Sequence, residues 1–141
     1  MNKELDERLV RDFPFLYVDR HAPMSRTCLC WGFDVGDGWY KITKKLSQKL
    51  DKMIAKLAWL HPEYVLNGTL PRASQVKEKF GTLRFYMDSS TEEMEDLIEE
   101  AQLESARTCE VCGQPGKTHS IRGWLSTVCP KHKKEYEKER P

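Results

Sequence analysis

"CEVCGQPGKTHSIRGWLSTVCPKH", residues Cys109 to His132, sets two thiols, a glycine-containing turn, a patterned segment, a third thiol and an imidazole in a row. Two cysteines separated by two residues can reach one ion, because the turn between them folds both sulfurs to the same side. Cys109 and Cys112 have that spacing, and Gly113 permits the tight exit. In the second pair, Cys129 as a helix N-cap leaves Pro130 at the first helical position, where its missing N–H costs nothing. His132 then falls one turn on, and the Cys129 thiolate sits in the positive field of the helix N-terminus. Between the pairs, "KTHSIRGWLSTV" reads as a hairpin turning at Arg122-Gly123. A knuckle, a hairpin and a helix in this order make a treble-clef-like zinc finger. The pattern predicts one structural Zn2+ on Cys109, Cys112, Cys129 and His132. Four protein ligands leave no open position for a reactive water, so the site is expected to be non-catalytic.

The rest of the chain sets the size of what this finger joins. With 141 residues there is room for one ordinary domain with a small satellite. A hydrophobic share of 39% supplies a core, and 32% charged residues make a wet surface. No apolar run approaches the roughly 18 residues of a membrane helix, and "MNKELDERLVRD" lacks the apolar stretch of a secretory signal. A cytoplasmic protein without a membrane partner is expected. In that reducing compartment five cysteines read as ligands or free thiols rather than disulfides.

Residues 2–12 read as a short helix, and "FPFLYVDRHAPMSRT" as irregular chain docked on the core. Asp37 is the expected N-cap of a long helix over residues 39–60. Ile42, Leu46, Leu50, Met53, Leu57 and Leu60 recur at steps of three and four and form its inward stripe. "HPEYVLNGTLPRAS" reads as a linker. A hairpin is expected over residues 74–87, with a II′ turn at Gly81-Thr82 and Phe80 opposite Leu83. That register puts Val76, Glu78, Phe80, Leu83, Phe85 and Met87 on the core face, and Lys77, Lys79, Arg84 and Tyr86 on the other. Glu78 is the odd member of the apolar face, expected at its edge or beside a buried cation. A capping box from Ser90 to Glu93 opens a helix over residues 91–106, with Met94, Leu97, Ile98 and Ala101 inward and an acidic outer side. The sum is an α+β body, residues 1–107, of helices packed on a β-hairpin, closed by the finger, residues 108–141, in one compact unit.

Two catalytic patterns and one calcium-loop pattern are incomplete. A zinc deaminase needs H-x-E and then P-C-x-x-C; His61-Pro62-Glu63 matches the first half, but Thr108 precedes Cys109. An HNH-like nuclease would use His119 as base, yet the asparagines are Asn2 and Asn67. "DVGDG" resembles part of a calcium loop, but the twelfth position from Asp34 is Lys45 where a glutamate is required. Cys28 and Cys30 alternate along a segment read as extended, so both should point the same way, and are expected to be buried free thiols rather than a second metal site with His21.

Charge is segregated rather than excessive, since the net value is +1. Lys41, Lys45, Lys49 and Lys52 on the long helix, with Lys77, Lys79, Arg84 and Tyr86 on the hairpin, form the candidate binding surface for a partner protein or a nucleic acid. The acidic helix is positioned to neutralise part of it.

The blocks "CWGFDVGDGWY", "QVKEKFGTLRFY" and "CEVCGQPG…GW…VCPKH" resemble, in this order, small proteins encoded by tailed phages and prophages of bacteria. Val35 stands where many members carry cysteine. The resemblance implies an accessory protein that binds a host protein, with inhibition of a host enzyme or an antiphage defence factor as one form of that role. Nucleic-acid binding is the alternative function, and an HNH-like nuclease the distant one.

Overall fold

The structure is a computed structural model and describes residues 1–139, so the end of the expected 108–141 segment lies outside the described residues. The fold is α+β, with helices on a small sheet and a second two-stranded sheet near the C-terminus. Helix α1 (Lys3–Asp12) begins where the Asn2 side chain accepts the Leu5 N–H at 3.0 Å. Strand β1 (Phe33–Asp34) follows, then α2 (Tyr40–Leu60), α3 (Pro62–Leu66), β2 (Arg72–Lys79), β3 (Thr82–Asp88) and α4 (Glu92–Ser105). Strands β4 (Lys117–Ile121) and β5 (Trp124–Val128) and helix α5 (Pro130–Glu139) complete the chain.

The main sheet has the order β1-β2-β3, with β1 parallel to β2 and β2 antiparallel to β3. One face supplies Phe33, Ala73, Val76, Leu83 and Phe85 to a core that α2 completes with Ile42, Leu46, Leu50 and Ile54 and α4 with Met94, Ile98 and Ala101. Burying each Val, Leu, Ile, Phe or Met among these contributes about 1.5–3 kcal/mol, so the body holds itself together by apolar burial. Tyr17 lies wholly inside, its hydroxyl 2.5 Å from Ser47 Oγ, and burial keeps its phenol neutral far above the ordinary range.

Several expectations are corrected. The hairpin turns at Phe80-Gly81, not Gly81-Thr82, and Lys79 pairs with Thr82. Phe80 and Gly81 both have positive φ (55° and 81°), the I′ geometry whose twist matches that of the strands. Moving the turn by one residue changes every pair by two, so Lys77, Lys79, Arg84 and Tyr86 keep their shared face while Phe80 leaves the core for the turn, 64% exposed. Glu78 is half-buried, and its carboxylate accepts the Gly81 N–H at 2.9 Å and so braces the turn.

Asp37 does not cap α2. The chain approaches that helix through a 3-10 turn, Asp37–Trp39, and the Asp37 carboxylate instead accepts the Asn2 backbone N–H and amide at 2.7 and 3.0 Å. Thr91, not Ser90, caps α4 by accepting the Met94 N–H, because the chain leaves β3 through Ser89 at φ 58° and this delivers Thr91 to the first turn. Ser90 bonds Glu95 instead. Leu60 is exposed, since α2 runs past its cover, and Ile54 takes the inward place. The expected linker contains α3 and the start of β2. Cys28 and Cys30 lie on a 3-10 turn, Cys28–Trp31, where residues two apart diverge; Cys28 is exposed and Cys30 Sγ donates to Thr27 O.

The "DVGDGW" block docks the C-terminal part on the body. Gly38 N–H donates to Glu110 O at 2.8 Å, and the buried Trp39 indole donates to Thr108 O at 2.8 Å. A Cβ on Gly36 would lie 2.3 Å from Glu110 O, and one on Gly38 would lie 2.2 Å from Cys109 O, so both positions need glycine for close approach. Gly38→Ala is therefore expected to destabilise the protein by about 1–3 kcal/mol. Thermal unfolding checks this against Gly68→Ala, where the added methyl meets open space and the cost is confined to backbone strain at φ 70°.

Candidate metal centre

The knuckle forms because the turn after Cys109 closes on itself. Gly113 N–H donates to Cys109 O at 2.9 Å and Cys109 N–H to Gln114 O at 2.7 Å. Strands β4 and β5 then pair from Lys117↔Val128 to Ile121↔Trp124 around Arg122-Gly123, the turn expected from the sequence. Helix α5 starts at Pro130, and the Cys129 carbonyl accepts its first bond from Lys133 N–H at 2.8 Å.

These three elements bring Cys109, Cys112, Cys129 and His132 together, with all four ligand atoms within 4.8 Å of one another. Cys112 Sγ is 3.8 Å from Cys129 Sγ, and Cys109 Sγ is 3.6 Å from His132 Nδ1. A tetrahedral zinc with bonds of about 2.3 Å to sulfur and 2.0–2.1 Å to nitrogen has edges of about 3.8 Å and 3.6 Å for those pairs. The Cys129–His132 contact is tighter, at 3.1 Å. All three sulfurs are free thiols, and 3.8 Å is far beyond the roughly 2.05 Å of a disulfide. The cluster can therefore hold a metal ion. Cys109 and Cys129 are buried, His132 is half-buried and Cys112 is the outermost. The Glu135 carboxylate lies 3.7 Å from His132 Nε2, on the ring edge opposite Nδ1, where it favours the tautomer that leaves Nδ1 free to ligate.

The thiols are unequal. The Cys129 thiol is drawn down to about 6, above all by the backbone N–H of His132 in the first turn of α5. Loss of hydration and the neighbouring sulfurs push the Cys112 thiol up. Three thiolates at this separation repel one another; a divalent cation among them removes the conflict.

The remaining singled-out residues stay apart. Lys41, Lys45, Lys49 and Lys52 are exposed along α2, and Lys45 Nζ is 3.5 Å from Glu104 of α4, so the basic and acidic helices meet along one seam. Lys77, Lys79, Arg84 and Tyr86 share the outer face of the main sheet. His61 pairs with Glu63 at 3.1 Å and stacks on Tyr64 at the α2–α3 junction, while His119 sits in β4 opposite Ser126. Among the described residues, Cys109, Cys112, Cys129 and His132 are the one His/Cys/Asp/Glu group placed for a metal. Among the described residues, no helix is long and apolar enough to cross a membrane. Comparisons with protein-family models, with curated proteins and with solved structures each return no match.

The sequence reading missed a groove of about 410 Å3 between the turn after α1 and α3, walled by Pro14, Phe15, Val18, Tyr64, Val65 and Leu70. Its signal was the run of large apolar residues in "HPEYVLNGTL", too short and too polar-flanked to announce a helix.

Removing the metal is expected to unfold residues 108–139 first, because a zinc site of this type supplies about 10–16 kcal/mol of apparent folding free energy. Metal analysis of protein purified without chelator should give one zinc per chain, and Cys109→Ser should lose it. A folded, metal-free wild type refutes the assignment.

Proposed function

We propose that the four converged side chains hold one structural zinc in a treble-clef-like finger, and that the protein acts by binding another protein rather than by catalysis. The observation that carries the binding role is the groove. Phe15, Val18 and Val65 remain 46%, 63% and 54% exposed around it, and Leu66 beside it 89%. Apolar side chains gathered this way on a small protein mark an interaction site.

The charge at the rim selects the occupant. Arg26 lies 3.7 Å from the buried Asp19 carboxylate, beyond hydrogen-bond reach, so its guanidinium still has donors to offer. Asp19 is already held by Arg72 Nε at 2.8 Å. A segment that inserts a large apolar side chain and sets a carboxylate beside it would satisfy both walls and rim. The resemblance of three sequence blocks to phage and prophage proteins supplies the context: an accessory protein in the cytoplasm of an infected bacterium, with a host protein as partner and inhibition of a host or antiphage defence factor as its consequence.

The α2 lysines fit this reading better than a nucleic-acid track. Lys45 is paired with Glu104, and Lys49 lines the same seam as Glu100, so that face alternates in sign. The nuclease reading gains no support, since Asn2 caps α1 and Asn67 ends α3, both on other elements than His119.

Affinity capture from host lysate should recover a partner that Val65→Asp and Arg26→Glu each weaken at least tenfold, with zinc content and melting unchanged. Capture of nothing above background refutes the binding role. Equal capture by the variants refutes the groove.

A further inference from the structure

Lys77, Lys79, Arg84 and Tyr86 share the outer face of the main sheet, and this composition is costly in itself. Lys77 stands directly opposite Arg84, and Lys79 is the next outward residue on the same strand. Like charges paired across strands destabilise a sheet. Asp34, beside Lys77 in register, supplies one carboxylate against three cations. The Arg84 guanidinium is itself incompletely satisfied, its Nε being buried without a hydrogen-bond partner.

Aromatic side chains flank this row. Trp31, 72% exposed on the 3-10 turn before β1, lines a hollow of about 510 Å3 with Gln75 and Asp34. Gln75 is in register with Tyr86, which is 42% exposed. Trp31 thus shares that hollow with the partner of Tyr86 in the sheet, and the Gln75–Tyr86 pair lies one step from the Lys77–Arg84 pair. At the turn, Phe80 is 64% exposed with Lys79 Nζ 5.5 Å from its ring centre.

Exposed rings beside cations that outnumber the carboxylate in register with them ask for a ligand that is both flat and anionic. An acidic peptide would use the cations and leave the rings idle. A duplex would offer phosphates but keep its bases stacked away from the rings. We propose that this face binds single-stranded nucleic acid, with Trp31 and Tyr86 stacking on bases and Lys77, Lys79 and Arg84 meeting phosphates. The site is separate from the groove and stands or falls independently of it.

The test is fluorescence anisotropy of the zinc-loaded protein with labelled oligo-dT and oligo-rU of 20 nucleotides. Micromolar or tighter binding at 50 mM salt is expected, with log K falling against log salt at a slope of about −2, since three phosphate contacts on a single strand contribute about −0.7 each. Trp31→Ala and Tyr86→Ala should each weaken binding at least fivefold, and the triple change of Lys77, Lys79 and Arg84 to Gln should flatten the slope. Amide shifts on titrating the wild type should centre on residues 31, 75–79 and 84–86, which tests the site even where a variant misfolds. No binding at low salt overturns the proposal. So does indifference to both aromatic changes, tighter binding of a duplex of equal length, or equal competition by poly-glutamate, which would mark an acidic-protein surface.

Discussion

The C-terminal segment depends on four ligand atoms that lie close enough to share one cation. The C-terminal core consists of Ile121 and Val128 with the two buried cysteines, and Tyr136 packed against them. Two aliphatic side chains are a small core for a segment of this length, so an ion bound by the four ligands would supply folding free energy that burial does not. The segment also docks on the body through Gly38, Trp39 and the bond from Thr127 Oγ1 to Gly81 O at 2.6 Å.

That docking ties the finger to the hairpin and so to the sheet. Gly81 belongs to the turn that sets the register of β2 and β3, and Glu78 and Thr127 both bond to it. Register in turn decides which side chains face outward together. An ion held by the four ligands would touch neither Lys77 nor Arg84, yet through this docking it would help fix their row. The α2–α4 seam plays another part: Lys45 and Glu104 pair at a seam also lined by Leu46, Leu97 and Ala101, so opposite charges flank apolar side chains there. An exposed pair of this kind contributes only about 0–1 kcal/mol.

Much of this was legible in the sequence, for identifiable reasons. Ligand spacing is a covalent constraint, and Cys109, Cys112, Cys129 and His132 converge as their spacing requires. The hairpin faces survived an error in the turn because a two-residue shift of pairing preserves parity. The long helix was readable from Ile42, Leu46 and Leu50. Strand β1 was not, since two residues carry no period and their parallel partner is some forty positions away. The glycines of "DVGDGW" suggested a turn or an ion loop, because close approach of a distant backbone leaves no local mark. Trp31 was hidden for the same reason: nothing in "CLCWGF" tells that it lines a hollow with Gln75.

With the four ligands proposed to hold a metal for shape, the proposed recognition rests on two surfaces of unlike chemistry, an apolar groove beside α3 and a cationic, aromatic sheet face. The non-catalytic reading requires a site closed by protein ligands alone. X-ray absorption at the zinc edge tests that most directly. The account predicts a first shell of three sulfurs at about 2.3 Å and one imidazole nitrogen at about 2.0–2.1 Å. A shell completed by a water oxygen, or one with fewer than three sulfurs, would contradict it.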